Sequence, residues 1–474
     1  MDYKSQTKTK GALITPRLII HGGAGNILPS NLSPEKYKAF HDSLLTILST
    51  THYFMSAPSS FPLQTSQSTS ALDTVAFAVS LLENNPLFNS GHGAVFNRDG
   101  FQEMEASVMV SRGKKKRGVG VMGLQHVKNP IKLAREMLLR GEQDLEGGNG
   151  EHRSGVKRSD AMGAQGHSQL HGCTAENLAR QWGLEMVDKK YFYTQARWDE
   201  HIKGLEREKK GEGIASWDHT AYMPQGTCGA VALDSEGVLA VATSTGGLTN
   251  KLPGRIGDTP TLGAGFWAEE WEEEFYAKDE ALIVRPGPAL MLSASLQGLL
   301  ADCLPSLTAY QPIPLQEKFT LEAQDRIIHS TALSGTGNGD SFLRTNAART
   351  ASAIVKYRGA KSSNKTSLQE AIDEVSGPGG ELEKSAGNRW HKTGEGEGGI
   401  IGIELQVVLD VDGKRTSVTS HVTDSFNCGG MFRAAVNTNG KAIMRAFKPR
   451  QPGLERFEGE GKEYNLKDWF DDSL

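Results

Sequence analysis

Residues 226–234 read GTCGAVALD, and this short stretch decides how the rest of the 474-residue chain is interpreted. A threonine follows a glycine and begins an apolar run that predicts a buried strand. The turn residues 234–237 and the second apolar run 238–242 predict a hairpin. Residues 204–226 are mostly polar and show no usable periodicity, so we predict a mobile linker that leads directly into the hairpin.

The Gly226–Thr227 step also indicates a possible chemistry. A threonine hydroxyl is a weak nucleophile without a neighbouring base, and an N-terminal threonine carries such a base in its α-amine, which titrates at about 7.7–8.0. Cleavage before Thr227 would create this residue, and Gly226 permits the strained backbone that attack on its carbonyl requires. An ordinary threonine that begins a strand after a loop fits the spacing as well. The residues alone leave both interpretations open.

Residues 226–260 resemble, almost without interruption, the plant-type L-asparaginase/isoaspartyl peptidase family of N-terminal nucleophile hydrolases. The resemblance rests on GTCGAVALD and on ATSTGGLTNKLPGRIGDTP at 242–260, with further blocks HGGAGN at 21–26, FNSGHGAVF at 88–96 and NCGGMFRA at 427–434. It implies an α/β fold, the four-layer αββα sandwich of these hydrolases. It also implies one structural domain built from an α-chain (1–226) and a β-chain (227–474), which associate as a dimer of αβ heterodimers.

The resemblance implies an amidohydrolase that cleaves the side-chain amide of L-asparagine or the isopeptide bond of β-aspartyl dipeptides. Thr227 would be the nucleophile after self-cleavage at Gly226–Thr227, and Thr245 would hydrogen-bond it and assist the cleavage. Thr336 and Gly337 would form the oxyanion hole. From physics alone, the glycine-rich turn 334–340 before a helix would equally suggest phosphate binding.

Arg255 and Asp258 have opposite charges three residues apart among glycines. Such a pair suits a substrate that carries both an α-carboxylate and an α-ammonium group, although a surface salt bridge gives the same spacing. The resemblance implies that Arg255, Asp258 and Gly339 bind the substrate. We group Asn89 with these substrate-binding residues, since its amide would orient the nucleophile or hold the loop beside it.

A structural sodium ion is implied by the loop that contains residues 88–96. Main-chain oxygens suit hard cations, although a plain glycine-rich turn gives the same sequence. No redox or organic cofactor is expected. The carbonyl groups that would bind the ion belong to Leu82, Glu83, Asn85, Phe88, Ser90 and His92. We expect His21, in the first glycine-rich turn, to fix that turn rather than to bind a metal.

Composition limits the function. The net charge of −4 argues against nucleic-acid or anionic-membrane binding as the main activity. The four cysteines form no CxxC pair, which fits a reducing compartment. No secretory signal and no membrane-spanning stretch are visible. We therefore expect a soluble, cytoplasmic protein whose partners are a small-molecule or dipeptide substrate and a second copy of itself.

Helices and insertions complete the prediction. Between residues 142–170 and 377–398 the sequence loses its pattern, so we predict a disordered insertion and a low-complexity insertion, respectively. A long helix is expected to follow the turn 334–340 and to end near Gly359. Apolar spacing and capping residues predict further helices over 33–56, 70–82, 129–140, 174–182, 288–303 and 367–375.

Three alternatives remain from the sequence. A threonine endopeptidase of the taspase type would share Thr227, but its relatives tend to have Asp at the position of Gly226. A lysosomal glycosylasparaginase would need a signal peptide and disulfides. The chain could also be an uncleaved scaffold or a nucleotide-binding protein that uses the glycine-rich turns. One departure from the family pattern is Cys228, where relatives usually carry Val.

Overall fold

The computed structural model describes residues 11–56, 69–145, 163–217, 226–274, 326–359 and 366–471. These residues form a mixed α/β fold with two β-sheets, one of nine strands and one of four. Several predictions lie outside the described residues, namely the loop 57–68, the centre of the first insertion, the last part of the linker and the helix 288–303. No helix in the described ranges is both long and apolar enough to cross a membrane.

The nine-stranded sheet contains the predicted hairpin at its centre. Its strands are β1 (Arg17–Gly25), β2 (Met104–Val110), β3 (Gly118–Leu124), β4 (Gln169–His171), β5 (Cys228–Leu233), β6 (Leu239–Thr245), β11 (Gly430–Val436), β12 (Lys441–Arg445) and β13 (Glu463–Asn465). Their order is β13-β12-β11-β1-β5-β6-β2-β3-β4. All neighbours are antiparallel except β3 and β4. Strand β1 lies between β5 and β11, with Ile19 paired to both Val231 and Ala435.

The four-stranded sheet has the order β10-β9-β8-β7. Its strands, all antiparallel, are β7 (Phe266–Glu274), β8 (Arg326–Gly337), β9 (Gly398–Leu409) and β10 (Arg415–Phe426). The alternation predicted for residues 401–407 is confirmed, since Ile401, Ile403 and Leu405 face one buried cluster while Ile400 faces another.

The helices predicted within the described ranges are present, and two further helices, at residues 195–209 and 381–386, were not predicted. They are α1 (Pro34–Ser56), α2 (Ala71–Asn84), α3 (Pro130–Asp144), α4 (Gly172–Gln181), α5 (Gln195–Lys209), α6 (Gly339–Thr345), α7 (Ala347–Gly359), α8 (Leu368–Ser376) and α9 (Glu381–Ala386). Short 3₁₀ turns span Gly91–Gly93, Lys189–Phe192, Gly387–Arg389, Leu454–Arg456 and Leu466–Trp469. The capping box of Ser367 and Glu370 is present at the start of α8.

Three buried apolar clusters hold these elements together. Alternate residues of one strand point to opposite faces of a sheet, so β5 contributes to two clusters. Ala230 and Ala232 face helix α2 in a cluster that also includes residues of α1, whereas Val231 and Leu233 pack between the sheets against β8 and β9. The far face of the small sheet, at Leu333, packs against α7 and α8. The hairpin that contains Thr227 therefore begins inside the core.

Several predicted boundaries were wrong because tertiary contacts outweigh local composition. Helix α3 continues through Gly141, which packs against the Lys116 side chain. The residues of the first insertion that the structure describes are not patternless, since Gln169 and Leu170 form β4 beside β3. The supposed long helix before Gly359 is two helices, because Asn346 has a left-handed backbone with a φ of 47°.

The described part of the linker is more ordered than predicted, and the second insertion, predicted as low-complexity sequence, is folded. Helix α5 covers residues 204–209, which the polar composition had assigned to a mobile linker. Residues 377–398 contain α9 and pack against Trp217 and Asn427 of the same chain. The Gly394 backbone approaches the Trp217 indole so closely that an added Cβ would lie 2.3 Å from the ring. The Asn427 amide donates to the Gly396 carbonyl at 2.8 Å.

Candidate active site

Thr227 lies immediately before β5 and is almost completely buried, with 4% of its surface exposed. Its Oγ1 is 3.1 Å from Oγ1 of Thr259, a residue that sequence reasoning had not singled out. Thr259 lies at the end of the GRIGDTP segment, next to Asp258. The nucleophile candidate is therefore hydrogen-bonded to the segment that carries the predicted substrate-binding charges.

The residue before Thr227 has no space for a side chain. A Cβ atom on Gly226 would lie 2.4 Å from the Gly23 Cα and the Ala24 nitrogen, and 2.7 Å from Thr336 Oγ1. Real Cβ atoms do not approach other atoms so closely, because such contacts lie far inside van der Waals distance. Gly226 is thus fixed by close packing against β1 and β8.

Thr336 and Gly337 end strand β8 beside this glycine. The Ala24 amide donates to Thr336 Oγ1 at 3.1 Å, so the hydroxyl lies between Gly226 and β1. Gly337 has a φ of 140°, and an added Cβ would lie 2.4 Å from the Glu397 carbonyl oxygen. The structure therefore brings the predicted oxyanion residues next to the predicted cleavage site.

Thr245 and Asn89 are connected through one turn. Thr245 Oγ1 accepts a hydrogen bond from the Gly247 amide at 3.0 Å. The Asn89 amide group donates to the Gly247 carbonyl at 2.8 Å and accepts from the Val95 amide at 3.0 Å. Among the hydrogen bonds of the described residues, the hydroxyl partner of Thr227 is Thr259 rather than Thr245. Asn89 holds the turn beside the end of β6.

Arg255, Asp258 and Gly339 meet in space although they come from two distant segments. A Cβ on Gly339 would lie 2.5 Å from Asp258 Oδ1 and 2.9 Å from Arg255 Nη2. Arg255 Nη2 is also 3.2 Å from Asp340 Oδ1. The oppositely charged side chains of Arg255 and Asp258 thus both lie against the backbone of Gly339 at the start of α6. Such a site can bind a carboxylate and an ammonium group side by side.

Glu105 was missed by sequence reasoning. Its Oε1 accepts a hydrogen bond from the Gly257 amide at 2.9 Å. A charged residue in the fully buried strand β2 was the signal that could have identified it, because unpaired charges are rarely buried. Burial raises the pKa of the Asp258 carboxyl to about 7, and Arg255 opposes this rise while Glu105 reinforces it. A carboxyl that titrates near neutrality is therefore part of the site.

His21 and Cys228 flank Thr227 but are not suited to act as base or nucleophile. Burial lowers the pKa of the His21 imidazole to about 3, so the ring is neutral at pH 7. Its Nε2 is 2.7 Å from Ser334 Oγ, which joins β1 to β8. Burial raises the pKa of the Cys228 thiol to about 12, so no thiolate forms at neutral pH.

The loop expected to bind sodium follows α2. A Cβ on Gly91 would lie 2.3 Å from the Glu83 carbonyl oxygen, and one on Gly93 would lie 2.1 Å from that of Phe88. The loop therefore wraps tightly around its own carbonyl groups, and such neutral oxygens fit a hard cation. No cluster of three or more His, Cys, Asp or Glu side chains suited to a metal ion is found among the described residues.

A buried arginine also contacts this loop. Arg197, with 4% exposure, donates from Nε to the Gly93 carbonyl at 2.8 Å and from Nη2 to the Leu87 carbonyl at 3.0 Å. Neither carbonyl is among the six expected to bind sodium. Helix α5, which carries Arg197, thereby fixes the loop that contains Asn89.

Comparison with known proteins adds independent information. The sequence profile of the family described as Asparaginase matches residues 14–152 and 153–272. The Escherichia coli protein named isoaspartyl peptidase is 37% identical over 256 residues, covering 53% of this chain and 67% of the relative. The Pyrococcus abyssi protein named plant-type L-asparaginase is 34% identical over 253 residues, covering 53% of this chain and 70% of the relative.

A longer match comes from Arabidopsis thaliana. Its protein named probable isoaspartyl peptidase/L-asparaginase 2 is 27% identical over 446 residues, covering 89% of this chain and 96% of the relative. The family profile covers more than half of the chain and includes the Gly226–Thr227 step, Arg255 and Asp258. The chain therefore belongs to the asparaginase family of hydrolases.

Proposed function

We propose that this chain is an amidohydrolase that acts on the side-chain amide of L-asparagine and on β-aspartyl dipeptides after it has cut itself at Gly226–Thr227. The observation that carries the proposal is the packing of Gly226 against Thr336, with Thr227 buried beside it. The names of the relatives from Escherichia coli and Pyrococcus abyssi support both substrate classes.

Self-cleavage begins with attack of Thr227 Oγ1 on the Gly226 carbonyl carbon. The C–N bond breaks and an ester to the threonine oxygen forms, while the hydroxyl proton passes to the departing nitrogen, which becomes the α-amine. Water then hydrolyses the ester. The products are an α-chain that ends at Gly226 and a β-chain that begins with Thr227.

After self-cleavage, Thr227 Oγ1 and the new α-amine act on the substrate. The α-amine takes the proton of Thr227 Oγ1 as the oxygen attacks the substrate carbonyl. The Thr336 hydroxyl and the Gly337 amide donate to the oxyanion, and loss of one such donor typically costs about 10²–10³ in rate. Ammonia or an amino acid leaves with a proton, and water hydrolyses the aspartyl ester.

Substrate recognition follows from the charges at Gly339. Arg255 binds the α-carboxylate through its fork of N–H donors, and ionised Asp258 binds the α-ammonium group. Glycine at position 339 leaves room for these groups against the backbone. Both proposed substrates carry the same α-groups, so this subsite accepts either of them.

The family resemblance extends the proposal to assembly and to the ion. The two sheets and their helices would form the four-layer αββα sandwich of N-terminal nucleophile hydrolases, and two αβ heterodimers would associate. A sodium ion would be bound by the carbonyl groups of Leu82, Glu83, Asn85, Phe88, Ser90 and His92. When bound, the ion supplies structural order to the loop and takes no part in proton transfer.

Denaturing gel electrophoresis with N-terminal sequencing tests the proposal, combined with assays of ammonia from L-asparagine and of leucine from β-aspartyl-leucine. Wild-type protein should give two bands, one of which begins with Thr227, and should release both products. Thr227→Ala should remain a single inactive polypeptide. The proposal fails if that variant keeps its activity, or if the wild type is active while position 227 stays peptide-bonded on both sides.

A further inference from the structure

Thr227 and Thr259 form a pair of buried hydroxyl groups whose oxygens are 3.1 Å apart. Thr259 is completely buried and Thr227 is 4% exposed. Each hydroxyl has one proton to donate and lone pairs to accept, so one of the two must donate to the other. The orientation of the nucleophile hydroxyl is therefore tied to the Thr259 side chain.

Thr259 is itself held by two further hydroxyl groups. Its carbonyl accepts a hydrogen bond from Ser107 Oγ at 2.6 Å and from Thr243 Oγ1 at 3.4 Å. Ser107 and Thr243 face each other on β2 and β6, and their hydroxyl oxygens are 2.5 Å apart. Thr243 also pairs with Gly229, two residues after Thr227. The central strands thus fix Thr259 relative to the nucleophile.

We propose that Thr259 is a positioning residue that sets the orientation of the Thr227 hydroxyl for self-cleavage and for substrate hydrolysis. This inference rests on the proposed function. Before cleavage, Thr227 has no free amine, and its hydroxyl donates a hydrogen bond to Thr259 Oγ1. This arrangement turns a lone pair of Thr227 Oγ1 away from Thr259 and leaves it free for attack.

After cleavage the new α-amine takes over as acceptor of the Thr227 proton. Thr259 can then donate to the threonine oxygen, which keeps that oxygen in place between turnovers. Because Thr259 follows Asp258 directly, a single segment binds the substrate's ammonium group and orients the nucleophile. The effect of Thr259 falls on the rate of attack rather than on substrate affinity.

The test compares Thr259→Val, which removes the hydroxyl at nearly constant volume, with Thr259→Ser, which retains it. Thr261→Val is the matched control, since Thr261 lies in the same segment and its hydroxyl donates to the Gly257 carbonyl at 3.0 Å. The half-time of self-cleavage is read from denaturing gels. The values of kcat and KM for β-aspartyl-leucine are measured per mole of N-terminal threonine.

For Thr259→Val we expect self-cleavage and kcat to fall about tenfold, the effect of one lost hydrogen bond, with KM changed less than about twofold. Thr259→Ser should restore both rates to near wild type, and Thr261→Val should resemble wild type. If Thr259→Val is not folded by circular dichroism, Thr259→Ala takes its place with the same expectation.

Wild-type rates in Thr259→Val would overturn the inference, and so would a Thr259→Ser variant as slow as Thr259→Val. Equal losses in Thr259→Val and Thr261→Val would also overturn it, because they would indicate general packing of the segment. In each of these cases a cut and active wild type leaves the proposed function intact. An uncut and inactive wild type overturns the proposed function, and this inference with it.

Discussion

The Glu105 carboxylate lies beside the Arg255 guanidinium, with the Gly257 backbone at their junction. A Cβ on Gly257 would lie 2.8 Å from Arg255 Nη1 and 2.9 Å from Glu105 Oε2. Glu105 is 1% exposed, and burial strengthens the interaction between charges because water screens them less. The proposed substrate subsite thus combines these charges with Asp258, whose carboxyl pKa is raised by burial to about 7.

The pH dependence of the two kinetic constants should differ. Burial raises the pKa of the Asp258 carboxyl to about 7, and the substrate ammonium group binds only the ionised carboxylate. The acid limb of log kcat/KM should therefore fall with a slope near 2, from Asp258 and the α-amine of Thr227 together. In the complex the bound ammonium group lowers the pKa of Asp258, so log kcat should fall with a slope near 1. Equal slopes in the two profiles would contradict this assignment.

Replacing Glu105 should change the pH at which protonation of Asp258 lowers kcat/KM. The negative charge of Glu105 raises the pKa of Asp258, so Glu105→Gln should shift the lower-pH step of kcat/KM to more acidic pH by roughly one unit. The glutamine still accepts from the Gly257 amide. Glu103→Gln, two residues earlier, is the matched control and should leave the step in place. A shift to higher pH in Glu105→Gln would reject the charge argument.

Enlarging Gly226 should prevent normal processing. The methyl group of Gly226→Ala would overlap the Gly23 Cα and the Ala24 nitrogen, both at 2.4 Å. Overpacking of this kind costs about 1–3 kcal/mol of folding free energy and displaces the scissile carbonyl from Thr227. We expect a predominantly uncut chain on denaturing gels and a lower melting temperature. Cleavage of this variant at the wild-type rate would mean that the close packing at Gly226 has no role.

Glu83 should make stability depend on pH. Its Oε1 accepts from Ser244 Oγ at 2.7 Å and from the Ile131 amide at 2.9 Å, and burial raises its pKa from 4.5 to about 8. Between these values the folded state holds the proton and the unfolded state does not, so stability falls as pH rises through this window.

The measurement uses the uncut Thr227→Ala chain, in which unfolding involves a single polypeptide. Its free energy of unfolding, from urea titrations, should fall between pH 5 and pH 8. Adding Glu83→Gln should reduce this slope, because the amide does not titrate. An unchanged slope in the double variant would show that other groups cause the pH dependence.

Local sequence patterns predicted the elements whose partners are near in sequence. The hairpin of β5 and β6 follows from an apolar run, a turn and a second apolar run, and the α8 capping box needs only Ser367 and Glu370. These features depend on hydrogen bonds and periodicity within a few residues, so a single sequence contains them.

The features that were missed depend on distant contacts. Residues 377–398 have no periodic apolar positions, yet they fold because Trp217 and Asn427 pack against their glycines. Family resemblance identified Arg255, Asp258 and Gly339 as substrate-binding residues, whereas the contact between them in space depends on how β8 and α6 are placed. Thr259 gave no signal of its own, because a threonine between Asp and Pro is ordinary until its neighbour is known.

The position of β1 gives the proposed cut a kinetic consequence. This strand precedes the scissile bond, yet both of its neighbours in the sheet, β5 and β11, follow that bond. Cleavage therefore leaves two interleaved polypeptides that native conditions will not separate. Once denatured, they must meet again by diffusion, so refolding changes from a unimolecular to a bimolecular reaction. Mature protein should therefore refold more slowly when its concentration is lower. The Thr227→Ala chain should refold at a rate that does not depend on protein concentration.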